Sequence, residues 1–132
     1  MSQSQPAAPR ESTFLRALHD TGANDLLAEE VTFLSPFADY HGRDDVSHLF
    51  ALIAGVLQGP SVSASATDGT LTYTSLTGNV DGRALQAAVC ERHDDEGRLA
   101  HATLFLRPYH GLRAAMDAMG RLLADAPLPS AR

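Results

Sequence analysis

Lysine is absent from this chain of 132 residues, cysteine occurs once, as Cys90, and long apolar runs are missing. Each absence closes off a class of protein. A single cysteine cannot form an internal disulfide, and a chain without one is compatible with a reducing cytoplasm, the expected location. With no apolar stretch of about twenty residues, there is no candidate helical membrane span. The first ten residues, MSQSQPAAPR, lack the apolar segment of a secretory signal. All ten Lys and Arg positions are Arg, scattered along a chain of net charge −6. Nucleic acid and anionic membrane surfaces call for clustered cations, so neither is an expected partner. The lack of Lys itself reads as a bias of genome composition.

What is present fits a single globular domain. Hydrophobic residues make up 44% and charged residues 20%, ordinary values. A chain of this length buries about 65–70% of its unfolded surface. The domain is expected over 11–126, between a disordered tail at 1–10, rich in Ser, Gln, Pro and Ala, and a second tail at 127–132. Hydrophobic spacing predicts a helix over 13–21, capped by Ser12 and stopped by Gly22, and a short helix near 25–30. A strand at 31–35 ends at Pro36. The best-marked helix has Asp44 as its N-cap and Gly59-Pro60 as its stop, with Val46, Leu49, Phe50, Ile53, Val56 and Leu57 along one face. From 61 to 108 the period is that of strands, with turns at Asp68-Gly69, Asp81-Gly82 and 94–97. A last helix over 111–126 turns Leu112, Ala115, Met116, Met119, Leu122 and Leu123 to one side. Helices first and a strand meander afterwards argue an α+β fold, with helices packed on one face of a curved sheet.

Several polar groups invite a chemical reading. His41, Asp44, Asp45 and His48 are metal-ligand types, but a site needs at least three donors converging on one point. Asp44 suits the cap and Asp45 the positive helix end, while His48 falls about 150° from the centre of the apolar stripe, in solvent. Neither a metal nor another cofactor is expected. Cys90 and His93 fall on opposite faces of a strand. Cys90 and His101 are expected as cross-strand neighbours on the outer face, in a dimer seam with Thr103 and Phe105. The acids at 94–96 read as a solvated turn. Met116 and Met119 read as core filling. Asp39, Tyr40 and His41 lie where the chain passes from strand to helix, and a His or Tyr there can polarise a carbonyl or move a proton. The ordinary alternative is a Tyr covering apolar surface beside an exposed His.

The segments LLAEEVTFLSPF, YHGRDDVSHLFALI and ERHDDEGRLAHATLFL, in this order and spacing, resemble the nuclear-transport-factor-2-like superfamily, in particular its SnoaL-like, polyketide-cyclase-like branch. The resemblance covers about 13–107. It implies a cone-shaped curved antiparallel sheet with the N-terminal helices over its concave face, a deep pocket between them, and homodimers through the outer sheet face. It also implies positions for catalytic groups. The carboxylate base of a ketosteroid-isomerase-like site falls at Ser35, its oxyanion-stabilising acid at Val89 and its Tyr at Phe14. The Asp–Arg–Asp set of an epoxide-hydrolase-like site falls at Leu76, Gly78 and Leu104. None of these residues performs that chemistry.

The expectation is therefore a pocket protein that binds, or cyclises, isomerises or dehydrates, a small, mostly apolar, carbonyl-bearing molecule. Phe14, Phe33, Ser35, Tyr40, Val89, Ala102 and Leu104 are the expected ligand contacts. His41 is the candidate acid/base, with Tyr40 and Ser35 as polar anchors. The alternative is a noncatalytic homodimeric interaction module.

Overall fold

The computed structural model of the chain describes residues 10–20 and 24–131. Helix α1 is Thr13–His19, and a 3-10 turn, Asn24–Leu26, leads into strands β1, Leu27–Leu34, and β2, Asp39–His41. Helix α2 is Arg43–Val56. Strands β3 to β6 are Gln58–Asp68, Leu71–Val80, Arg83–His93 and Leu99–Arg107, and helix α3 is Tyr109–Asp125. The expected tail at 1–10, save Arg10, and the stop at Thr21 and Gly22 lie outside the described residues.

The strands form one curved sheet in the order β2-β1-β6-β5-β4-β3. It is mixed: β1 runs parallel to β6, and every other neighbouring pair is antiparallel. The expectation of a wholly antiparallel sheet fails at that pair. The direction of β6 is set by its hairpin with β5, and residue pattern carries no information on how it meets β1.

Strict alternation builds the meander. In β4 the even-numbered residues from Thr72 to Val80 are buried and the odd-numbered ones exposed, the period of a sheet covered on one side. The covering layer is α1, α2 and α3. Where they meet β1, Phe33 stacks on Phe14 at 6.0 Å, Phe50 meets the edges of both at 5.0–5.2 Å, and Tyr40 stacks on Phe33 at 6.3 Å. Contacts of this kind add about 0.5–1.5 kcal/mol per pair to the area they bury.

Local details depart from the sequence expectation where distant partners intervene. The expected helix near 25–30 is a 3-10 turn followed by strand, because Leu27 pairs with Leu99 on β6. Helix α2 is capped by Gly42 and not by Asp44. Gly42 has φ +94°, and its N–H donates to Val31 O at 2.8 Å, so the helix starts at Arg43. Its last helical residue is Val56, since Gln58 already pairs with Asn79 on β4. Helix α3 buries Gly111, Ala115, Ala118 and Met119, while Met116, expected on the apolar side, is exposed. The buried stripe is narrow because α3 lies close against the sheet. A Cβ on Gly111 would stand 2.8 Å from Ala84 O.

His48 is another correction. It is half-buried, and its Nε2–H donates to Ala126 O at 2.7 Å. Asp45 accepts from Ser130 N–H at 3.0 Å. The segment after α3 thus docks on α2, a long-range contact that helical periodicity cannot reveal.

Candidate functional site

Two unlike regions lie between helices and sheet. The first is an apolar cleft bounded by Phe14 on α1, Leu49 and Ile53 on α2, Phe33, Ala87 and Leu104 on the sheet, and Ala115 and Met119 on α3. Its empty space is about 530 Å³ when the part open to solvent is counted, but only about 40 Å³ can be occupied by the centre of a water-sized sphere. A water needs roughly 10–15 Å³ on that measure, so the cleft holds a few small atoms at most. Its walls are apolar, which gives a water no partner.

Of the expected ligand contacts, Phe14, Phe33, Ser35 and Leu104 border this cleft. Val89 and Ala102 are fully buried in the inner sheet face without bordering it. Ser35 has its hydroxyl engaged: it donates to Ala38 O at 2.9 Å and accepts from the N–H groups of Phe37 and Ala38 at 3.1 and 3.2 Å. That is a local turn closing the corner after β1, and it leaves little for a ligand. Tyr40 is buried beside it. Burial raises the phenol's pKa, and the neighbouring Ser35 hydroxyl offsets part of the rise.

His41 stands apart from the cleft. It pairs with Thr32 on the face opposite Tyr40 and Phe33. Its ring is exposed, with Nε2 3.1 Å from Glu30 Oε2 and Nδ1 3.1 Å from Thr32 Oγ1. One-residue alternation on β2 accounts for this: placing Tyr40 in the core sends His41 outward. The Cys90–His101 expectation is corrected too. Cys90 faces Thr103, and His101 faces Arg92, so the two are diagonal neighbours. His101 instead contacts Thr103, at 3.3 Å.

The second region lies on β5, in the strand residues just before the polar turn at 94–97. Glu91 and His93 share the inner face of β5 with Val89, and they are 1% and 3% exposed. Thr72 and Thr74 of β4 are buried beside them. Glu91 Oε2 accepts from Phe14 N–H at 2.9 Å, and His93 Nε2 is 2.7 Å from Thr13 Oγ1. Both contacts hold the first turn of α1, whose cap is Ser12 Oγ accepting from Leu15 N–H. Glu91 Oε1, His93 Nδ1 and Thr74 Oγ1 are buried without a hydrogen-bond partner among the described residues. The signal was available: positions 91 and 93 have the parity of Val89, which the sequence places inward.

Desolvation raises the Glu91 carboxyl above its ordinary value, against the lowering effect of the Phe14 amide, Ser12, the Thr13 amide and Arg10. Desolvation lowers His93, and Arg10 adds to that shift. Both groups are thus biased toward their neutral forms. Among the described residues, no group of three His, Cys, Asp or Glu converges as a metal site, and no helix is long and apolar enough to cross a membrane.

A curved sheet whose concave face is closed by helices is also what known structures show. A steroid delta-isomerase from Pseudomonas aeruginosa superposes with a TM-score of 0.78 at 27% identity, over 85% of this chain and 87% of that one. The chain shares the fold of the NTF2-like proteins. A bacterial protein with a cystatin-like fold from Silicibacter pomeroyi gives a TM-score of 0.77 at 19% identity, over 86% and 87% of the two chains. An NTF2-like protein of unknown function from Mesorhizobium loti gives 0.63 at 22%, over 72% and 88%. No protein-family model and no curated protein sequence matches the chain. Within this NTF2-like fold, the inner sheet face is the surface that differs in chemistry from one end to the other.

The raised carboxyl yields a pH prediction. A carboxyl whose folded pKa lies above its unfolded value contributes stability that is fully present below the unfolded value and lost as pH rises through the folded one. Glu91→Gln removes that titration. Relative to wild type, its stability in urea should therefore increase progressively as pH rises above the ordinary carboxyl range. His93 has the opposite sign, losing stability as pH falls below its unfolded value, and both proteins keep it. Parallel curves for the two proteins over that rise in pH would contradict the assignment.

Proposed function

We propose that this NTF2-like chain is a pocket protein that binds a small, mostly apolar molecule in the cleft between α2, α3 and the inner sheet face, in the manner of SnoaL-like proteins. The observation that supports this most is the wall chemistry. Phe14, Phe33, Ile53, Leu104 and Met119 bound the cleft, and the one hydroxyl at its edge, on Ser35, is held in a turn. Such walls favour an uncharged guest through burial alone, at roughly 25 cal/mol per Å² of apolar surface. They also hold no group suited to proton transfer, so binding is better supported than cyclisation, isomerisation or dehydration. The resting cleft is nearly filled, and a guest enters by displacing side chains at its open side.

Toluene tests this directly. In the wild-type chain it should shift the methyl resonances of Ile53, Leu104 and Met119. Ala87→Val fills the cleft from the sheet side, a small-to-large change expected to cost about 1–3 kcal/mol, and should abolish the shifts. No shifts in the wild type, or equal shifts in both proteins, would contradict the proposal.

A second reading rests on the opposite face. Phe105 is 56% and Tyr73 46% exposed there, and their neighbours Ala64, Ala66 and Ala88 are small. We infer that a second copy of the chain covers this surface in a homodimer. Sedimentation should show a dimer for wild type and a monomer for Phe105→Glu, since a charge buried without a partner is strongly unfavourable. An unchanged mass would remove the seam.

A further inference from the structure

The Arg residues are scattered in the sequence, but the fold gathers three of them. Arg83 on β5 and Arg113 and Arg121 on α3 border one open hollow, together with His110, Asp81 and Asp117. The centre of a water-sized sphere can occupy about 290 Å³ of it, far more than in the apolar cleft. Two local features fix its sides. Asp81 and Gly82 form a two-residue turn with φ +50° and +76°, which sets where Arg83 leaves the hairpin. Gly111 lets α3 lie against β5, since a Cβ there would stand 2.8 Å from Ala84 O. That close approach brings one side of α3, with His110, Arg113, Asp117 and Arg121 at steps of three and four residues, beside Arg83.

The charges around the hollow are incompletely paired. Arg121 pairs with Asp81 at 3.3 Å, while Arg83, Arg113 and Asp117 take part in no ion pair among the described residues. A helix stripe stabilised by its own charges would join Asp117 to the Arg one turn before or after it, and it joins neither. The charge left over is positive, in a chain whose net charge is −6. Leu85 and Ala115, next to these groups in sequence or on the helix, turn the other way and border the apolar cleft. The hollow is therefore separate from the cleft and does not depend on the cleft accepting a guest.

We propose that the hollow between the β4–β5 turn and α3 is a binding site for the oxyanion group of a small acid, a carboxylate or a phosphate ester, held by Arg83 and Arg113. Planar guanidinium groups present paired N–H donors that match two oxygens of either group, in short charge-assisted hydrogen bonds. Asp81 does not oppose the anion, because Arg121 engages it. Asp117 does oppose it and limits the affinity. The side chains are exposed, so binding weakens as salt rises.

The test titrates the chain with acetate and with methyl phosphate at low ionic strength, following the side-chain Nε–H resonances of Arg83 and Arg113. At least one of the two anions should move both resonances saturably, and the tighter of the two identifies the acid class. Sodium chloride at equal ionic strength should not reproduce the shifts. Arg83→Gln and, separately, Arg113→Gln should each weaken that anion about fivefold or more, as expected for the loss of a charge-assisted hydrogen bond near the surface. Asp117→Asn should tighten it severalfold. Substitutions at these exposed positions leave the fold intact. Shifts equal to those with chloride, no saturation with either anion, or unchanged binding in both Arg variants would overturn the site.

Discussion

One residue of α1 carries two constraints at once. The Phe14 ring stacks on Phe33 and meets the edge of Phe50, while its amide is held by the buried carboxyl of Glu91 on β5. The aromatic contacts hold α1 to β1 and α2. The amide contact fixes where along the sheet the helix begins. A helix of seven residues has little stability of its own, so it depends on both. Its place decides how much of the concave face remains open.

The concave face divides accordingly. Toward α3 it is apolar and nearly filled by Leu104, Ala115 and Met119. Toward the β5–β6 hairpin it carries Glu91, His93, Thr72 and Thr74, all buried. Beyond the helices, β3 is exposed or half-exposed along its length, so the sheet is wider than its cover. The gradient is a direct product of alternation: every second residue of β4 and β5 faces inward, and those inward residues change from aliphatic to polar along the strands.

Much of this was legible in the residues. The α2 stripe of Val46, Leu49, Phe50 and Ile53 is buried as its spacing requires, and the hairpins fall at the Asp-Gly turns. What escaped depends on long-range partners. Leu27 became strand through Leu99, and His48 was drawn from solvent by a carbonyl 78 residues away. Two adjacent residues on β2 faced opposite ways, which took His41 out of the cleft. Glu91 and His93 were on the strand with the right parity, but their polar side chains, next to the acids at 94–96, did not suggest a buried site. Parity, which counts positions, was the better guide there than composition, which averages over them.

The central claim is that the cleft beneath α3 is dry, apolar and able to accept a guest. The most direct measurement is a crystal structure of the chain under xenon pressure. Xenon binds where a cavity is apolar and empty of water, so one atom should appear among Phe33, Leu104 and Met119. Ordered water at that position, or a cleft closed by side chains with no xenon in it, would contradict the account.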